Sequence, residues 1–342
     1  MTILVTGGAG YIGSHTCVEL MKNGHFVVIV DNLVNSSWEV NKKISEITGK
    51  SHYFYKDDVR DEKALEEVFE DMIEEGKKID AVIHFAGLKA VGESVDFPTK
   101  YYDNNLNSTI TLLKVMKKFN VTKIIFSSSA TVYSAENHMP LKEDGKLGAV
   151  NPYGWSKLMC EKILEDAAVA EEDWSVVLLR YFNPVGAHES GLIGENPKGL
   201  PNNLVPFISQ TAKGMYKEVK IFGDDYDTKD GTGIRDYIHV VDLAKGHVKA
   251  IDYAFKNIGC EVFNLGTGNG VSVLEMINTF ISVNEVDIPY SVTPRRAGDN
   301  AVSYADPSKA FEVLGFTAEK TLADMCRDTW RFQMSTSLQT EN

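Results

Sequence analysis

Val5-Thr6-Gly7-Gly8-Ala9-Gly10-Tyr11-Ile12-Gly13 joins a short apolar run, Ile3–Val5, to a helix-like pattern, Tyr11–Lys22. Gly7, Gly10 and Gly13 have the spacing Gly-x-x-Gly-x-x-Gly, a variant of the dinucleotide fingerprint. Absent side chains permit the tight turn, let backbone approach a pyrophosphate, and let the helix pack close on the strand. The helix N-terminus then offers free N–H groups and a partial positive charge to phosphates. A glycine-rich turn alone carries little weight. Set between a strand and a helix, it predicts the first βα unit of a nucleotide-binding sheet.

The same alternation continues outward. Phe26–Val30, Tyr53–Tyr55, Ala81–Phe85 and Lys123–Phe126 read as strands, and Val176–Tyr181 as a sixth. Glu62–Glu75, Tyr101–Phe119 and Tyr153–Asp166 carry helical periodicity. This predicts an α/β fold: a doubly wound parallel sheet of the Rossmann type, with ligands at the carboxyl ends of its strands. Asp31 ends the second strand, 18 residues after Gly13. A carboxylate there accepts both ribose hydroxyls of an adenosine and repels a 2′-phosphate, favouring NAD over NADP; a cap or turn aspartate is the competing reading. Asp57 and Asp58 follow the third strand, either within reach of an adenine amine or simply in a turn.

After Tyr181 the texture changes. Residues 183–203 are rich in Gly, Pro and Asn and residues 223–233 in Gly and Asp, as expected of binding loops. The rest, including Val262–Leu265 and Val273–Val283, suggests a smaller mixed α/β lobe over a pocket. The expected division is 1–182 as NAD-binding domain and 183–342 as mainly substrate-binding lobe, with some segments near 235–270 returning to the first. The polar tail from Ser335 reads as frayed.

With 48 Asp and Glu against 35 Lys and Arg, the net charge is −13, which argues against nucleic acid or an acidic membrane surface as partner. An anionic substrate therefore has to be met by local arginines. No apolar run approaches the ~20 residues of a membrane span, and the immediate strand-like start leaves no room for a signal peptide. The four cysteines (17, 160, 260 and 326) show neither metal-ligand spacing nor a disulfide framework. Cys17 and Cys160 fall among apolar neighbours and read as buried thiols. No metal is expected, and the reduced cytoplasm is the expected compartment.

Asn151-Pro152-Tyr153-Gly154-Trp155-Ser156-Lys157 carries the chemistry. A tyrosine acting as base near neutrality must fall by roughly three units from its pKa of ~10, about 4 kcal/mol of preference for the phenolate. A lysine four residues on lies one helical turn away on the same face, where its ammonium can supply much of that. Ser127–Thr131, at the carboxyl end of the fifth strand, offers a hydroxyl to hold a substrate hydroxyl against Tyr153. Alcohol oxidation follows: Tyr153 removes the hydroxyl proton while NAD takes the hydride.

These runs have close company. Val5–His15, His84–Ser94, Tyr101–Asn105, Phe126–Tyr133, Leu179–His188, Pro201–Leu204 and Asp230–Val240 resemble the extended short-chain dehydrogenase/reductase family and, within it, the UDP-glucose 4-epimerases, over almost the whole chain. The resemblance implies that tightly held NAD oxidises the sugar at C4, that the 4-keto intermediate turns over, and that the same hydride returns to its other face. By that resemblance Tyr153 is the base, Lys157 its partner and nicotinamide-ribose ligand, and Ser129 the hydroxyl on the sugar O4. It implies cofactor positions at Gly7, Gly10, Tyr11, Ile12, Gly13, Asp31, Asn32, Asn35, Ser36, Asp58, Val59, Phe85, Ala86, Lys89, Asn104, Tyr153, Lys157 and Phe182. It implies UDP-sugar positions at Lys89, Ser129, Tyr153, Asn183, Asn202, Asn203, Leu204, Phe222, Arg235, Arg296, Asp299 and Ser303, and a homodimer. For the arginines, surface pairing with nearby aspartates is the competing reading.

Three departures stand out. Trp155 and Ser134 replace the lysine and glycine usual in that family, and neither removes a catalytic group. Ser303 stands where strict UDP-glucose enzymes tend to carry a large tyrosine, so the resemblance implies acceptance of UDP-GlcNAc and UDP-GalNAc as well. Two rival functions remain. A sugar-nucleotide 4,6-dehydratase needs an acid–base pair beside the strand-end threonine, and Ser129-Ala130-Thr131 has no carboxylate. A non-catalytic NAD-binding regulator has no need of a poised base.

Overall fold

Seven parallel strands, one more than the sequence pattern suggests, form the central sheet of the computed structural model, which describes residues 1–197, 199, 201–296 and 299–338. The first part runs β1 (Thr2–Thr6), α1 (Tyr11–Lys22), β2 (Phe26–Val30), α2 (Glu39–Thr48), β3 (Tyr53–Tyr55), α3 (Glu62–Glu74) and β4 (Ala81–His84). It continues with α4 (Val91–Asp96), α5 (Pro98–Lys118), β5 (Lys123–Ser129), α6 (Pro152–Ala170) and β6 (Ser175–Tyr181). Then come β7 (Asn183–Val185), α7 (Leu204–Ala212), β8 (Val219–Phe222), β9 (Ile234–His239), α8 (Val240–Ala254) and β10 (Gly259–Leu265). The last elements are β11 (Gly270–Ser272), α9 (Val273–Asn284), β12 (Tyr290–Thr293), β13 (Val302–Ser303), α10 (Ser308–Leu314) and α11 (Leu322–Leu338).

The sheet order is β10-β6-β5-β4-β1-β2-β3. Its reversal beside β1 brings the carboxyl ends of β1 and β4 together, where an open α/β sheet binds its ligand. Period-two alternation sorts the core. Ile3 and Val5 face a cluster with Val18, Met21, Leu243 and Ile251 of α1 and α8. Leu4 faces the other side, with Leu65, Phe69, Leu112 and Leu164 of α3, α5 and α6. Each such fully buried side chain contributes about 1.5–3 kcal/mol.

Several boundaries differ from the sequence pattern. β10 completes the sheet by pairing with β6 from Gly259↔Ser175 to Leu265↔Tyr181. It lies within the stretch 235–270, from which segments are expected to return to the first domain, although Val262–Leu265 by itself reads as a strand of the smaller lobe. β5 runs through three serines to Ser129, since β6 supplies the ladder as far as Ser129↔Tyr181 despite their weak strand propensity. α5 starts at Pro98, a residue suited to the first helical turn. α2 was not anticipated, although Val40, Ile44 and Ile47 turn one face to the core. α11 continues to Leu338, so the frayed tail does not begin at Ser335; residues 339–342 lie outside the described part.

The smaller lobe is mixed. β9 pairs with β7 and β13 in parallel and with β11 in antiparallel fashion, and β8 pairs with β12. Val205, Ile208, Met276, Phe280 and Met325 of α7, α9 and α11 form its core. Among the described residues no helix is long and apolar enough to cross a membrane.

Candidate active site

The glycine turn is built by close approach. Gly7 has φ +69°, the left-handed region that favours glycine, and its N–H donates to Val30 O at the end of β2 (2.8 Å). A Cβ on Gly13 would lie 2.3 Å from Gly7 O, so α1 packs on the turn only because none is there. Gly10 is the extended N-cap of α1 and brings no side-chain cap, which leaves first-turn N–H groups for a phosphate. Asp31 is buried beside this turn, its Oδ2 accepting from Ala9 N (3.0 Å) and its Oδ1 from Leu33 N and Ser36 Oγ (both 2.8 Å). That places Asp31 on the glycine loop and not at a helix N-terminus. The cradle, the uncapped helix and the strand-end carboxylate fit a dinucleotide such as NAD.

Asp58 accepts from Asn32 Nδ2 (3.1 Å) and from Arg60 Nη2 (2.8 Å). The Arg60 guanidinium holds its carboxyl down at about 2, whereas burial pushes Asp57 up. Of the two aspartates, Asp58 thus joins Asn32 beside the end of β2. Asn35 is exposed in the bend after β2, and Val59 is buried in the core, so its side chain is packing. Ile12 packs partly buried against the α1 side of the core.

At the end of β4, Phe85 N donates to Thr6 O (3.0 Å) and Ala86 N to Thr6 Oγ1 (3.3 Å), which docks this loop on the glycine turn. The loop is then gripped by Asn105, which the sequence reading passed over. Its Oδ1 accepts from Leu88 N (2.8 Å) and Asn104 Nδ2 (3.0 Å), while its Nδ2 donates to Leu88 O (3.1 Å) and Ser156 Oγ (2.9 Å). Its signal was available: Asn105 is a polar residue in the buried stripe Tyr101, Asn105, Ser108, Leu112 of α5.

Three segments then meet. Ser129 ends β5, and its Oγ accepts from Thr131 N (3.2 Å) and Thr131 Oγ1 (3.0 Å). Asn151 caps α6 through Gly154 N (2.9 Å), with Pro152 in the first turn. A Cβ on Gly154 would lie 2.8 Å from Thr131 O, so the start of α6 touches the turn after Ser129. Tyr153 is thereby brought beside Ser129, whose hydroxyl favours the phenolate against the rise that burial causes. Lys157, one turn on, is buried and donates to Ser127 O (2.7 Å), 4.9 Å from the centre of the Phe126 ring.

Burial pushes the Tyr153 phenol up, and Ser129 pulls it down. Lys157 is itself lowered to about 8 by burial, against the upward pull of Cys160 and Glu161. Trp155 is exposed. Ser134 lies away in a turn, its N–H on Lys146 O (2.9 Å).

Lys89 and Tyr11 reach from this end to the smaller lobe: Lys89 Nζ and Asn203 Nδ2 both donate to Glu195 (2.9 and 2.8 Å), and Tyr11 OH donates to Gly186 O (2.7 Å). Glu195 had no local signal in the sequence. Asn202 is exposed beside Asn203, Leu204 opens α7, and Asn183 is exposed at the start of β7, just after buried Phe182. Arg235 lies opposite Ser303 in the β9–β13 ladder, with Asp299 3.8 Å from its guanidinium. Arg296 stacks over the Phe222 ring (3.7 Å). Pairing with a nearby aspartate thus holds for Arg295, bound to Asp225 at 2.7 Å, and at longer range for Arg235 with Asp299, whereas Arg296 is held by the Phe222 ring.

The family model described as NAD dependent epimerase/dehydratase matches residues 3–266. A UDP-glucose 4-epimerase of Bacillus subtilis is 56% identical over 98% of this chain and 97% of its own length. A crystal structure of the Bifidobacterium longum UDP-glucose 4-epimerase in complex with NAD+ and UDP superposes with a TM-score of 0.94 at 56% identity, covering 98% of this chain and 99% of that one. One from Stenotrophomonas maltophila, with bound NAD and formylated UDP-arabinopyranose, gives 0.96 at 50% identity over 99% of both. The glycine turn, the strand-end serine and the Tyr153–Lys157 helix are thus those of a chain that belongs to the NAD-dependent epimerase/dehydratase family and, within it, to the UDP-glucose 4-epimerases.

Proposed function

We propose that the chain interconverts UDP-galactose and UDP-glucose, with NAD as a retained cofactor. The observation that carries this is Tyr153, beside Ser129 at the end of β5 and one turn from buried Lys157, at the mouth of a dinucleotide cradle. NAD accepts a hydride from sugar C4 and returns it to the opposite face. Tyr153 takes the C4 hydroxyl proton and gives it back, so no external oxidant is consumed. Burial favours the neutral phenol, so the positive charges of the Lys157 ammonium and the oxidised nicotinamide have to favour the phenolate during turnover. Ser129 orients the C4 oxygen.

Asp31, Ser36, Asn32 and Asp58 hold the adenosine end, with Asn35 and Val59 beside it; Gly7 to Gly13, including Tyr11 and Ile12, hold the pyrophosphate. Phe85, Ala86, Lys89, Asn104 and Phe182 line the nicotinamide end. Asn183, Asn202, Asn203, Leu204, Phe222, Arg235, Arg296 and Asp299 hold UDP, with the arginines meeting the diphosphate against the acidic background. Residues 1–182 form the cofactor domain and 183–342 mainly the substrate lobe, with β10 belonging to the first. The four free cysteines fit the cytoplasm. A homodimer fits the apolar groove between α5 and α6, lined by Ile110, Leu113, Ile163 and Trp174.

Incubation with UDP-galactose without added NAD tests the reading: UDP-glucose should form over many turnovers, and its absence from protein that retains NAD rejects it. Half-buried Ser303, opposite Arg235, supports turnover of UDP-GlcNAc as well. No product from the acetylated pair would remove that extension alone.

A further inference from the structure

Behind Ser129 and Lys157 lies the most buried ion pair among the described residues, with Arg180 2% and Glu161 1% exposed at their side chains. It is bidentate: Arg180 Nε donates to Glu161 Oε1 (3.0 Å) and Nη2 to Oε2 (2.8 Å). Glu161 stands one turn beyond Lys157 on α6, and Arg180 stands opposite Ser128 in the β5–β6 ladder. The Ser128 hydroxyl donates to the same carboxylate. One carboxylate thus ties α6, β5 and β6 at the level of Ser129. The guanidinium also donates to Glu143 O (2.9 Å) and lies 4.8 Å from the Tyr133 ring, whose hydroxyl donates to Asn264 of β10 (2.6 Å).

Desolvation offsets most of the attraction in such a pair, and apolar residues of similar volume often hold a fold as well or better. Apolar residues would not bond Ser128, however, and would leave the register between strand end and helix to packing. We infer that Glu161 and Arg180 are positioning residues that lock the strand carrying Ser129 onto the helix carrying Tyr153 and Lys157. This rests on the catalytic reading above. Neither residue touches the reacting atoms; their effect passes through Ser128 and the shared turn of α6.

The test is steady-state kinetics on NAD-loaded enzyme in which the pair and the hydroxyl it would orphan are removed together, Ser128→Ala/Glu161→Met/Arg180→Met. The expected result is a melting temperature near the parent's, kcat for UDP-galactose lowered roughly ten- to a hundredfold, and KM within about twofold. A parental kcat in the folded, NAD-loaded variant overturns the inference. If that variant does not fold, Ser128→Ala decides, since it keeps the ion pair and cuts only its tie to β5. A kcat lowered severalfold with KM unchanged supports the inference, and a parental kcat rejects it. Tyr153→Phe is run alongside. An inactive Tyr153→Phe beside a fully active triple variant rejects the positioning role alone, whereas an active Tyr153→Phe rejects the catalytic reading and the inference with it.

Discussion

Around the glycine turn, Ser129, Tyr153 and Lys157 are set by buried backbone: Gly13 against Gly7 O, Gly154 against Thr131 O, and Lys157 on Ser127 O. Around Phe222, Arg235, Arg296 and Ser303, the side chains stand on short strands and loops, more open to solvent and held by stacking and by bonds to nearby carbonyls. The first region tolerates displacement poorly, because moving one group moves a strand end or a helix. The second can trade side chains without disturbing the sheet. On the proposed reading, chemistry belongs to the rigid end, and affinity and substrate range to the open one.

That contrast can be broken at its rigid end first. Tyr153→Phe removes one hydroxyl and should lower kcat by roughly 10²–10⁴-fold while the purified protein keeps its NAD. Loss of NAD together with activity would show that Tyr153 serves binding and not proton transfer. Gly13→Ala adds a methyl 2.3 Å from Gly7 O and 2.8 Å from Gly8 Cα, both backbone atoms that cannot step aside. It should destabilise by about 1–3 kcal/mol and lower the NAD bound per chain, read by thermal melting and by nucleotide released on denaturation. Normal melting and full NAD content would mean the turn is looser than its contacts indicate.

Legibility in the sequence follows the same division. The glycine spacing, the strand-end Asp31 and the Tyr153–Lys157 interval are local patterns, and local geometry is what spacing encodes. Arg180 was half legible: a charge inside the run Val176–Tyr181 must have a buried partner, but nothing in spacing names Glu161. Glu195 and Asn105 act across the fold, and their bonds exist only once the β4 loop, α5 and α6 are assembled. Spacing also put Lys157 on the face of Tyr153 without revealing that Ser127 O would accept a hydrogen bond from its ammonium or that burial would raise the phenol. The return of a segment near 235–270 to the sheet was legible, but not that β10 would be its seventh strand, since its neighbour β6 lies far back in sequence.

The open end should respond in affinity. Arg235→Ala removes charge-assisted hydrogen bonding, about 1.5–3 kcal/mol, so KM for UDP-galactose should rise roughly ten- to a hundredfold with kcat little changed. A fall in kcat at constant KM would move Arg235 into the chemistry. Lys157 gives the comparison a pH signature. Its pKa of about 8 means the ammonium is present below that pH and lost above it, so kcat should fall above pH 8. The folded-state value is depressed, so between about 8 and the ordinary lysine value the unfolded chain binds the extra proton, and this group's contribution to stability rises with pH. Rate loss without a matching fall in melting temperature would separate Lys157 from general alkaline unfolding, and a flat kcat to pH 9.5 (about 1.5 units past the expected midpoint) would remove it from proton handling.

Ser303→Tyr should have the smallest effect on the native reaction. Ser303 pairs with Arg235 across β13 and β9 and is half-buried, at the open end, away from the contacts that fix Tyr153. A tyrosine fills space beside the sugar without moving the strand end or α6, so turnover of UDP-galactose should stay within about threefold, the range expected when no transition-state contact is lost. Turnover of UDP-GlcNAc should disappear, because an acetamido group needs the volume the phenol takes. Product analysis on both substrate pairs, with parent and variant at equal NAD content, distinguishes the outcomes. Equal loss on both pairs would mean that β13 is coupled to the chemistry after all, through the bonds of Leu141 to Tyr304 and Asp306 (2.9 and 2.8 Å), and the two ends of the pocket would then have to be treated as one mechanical unit.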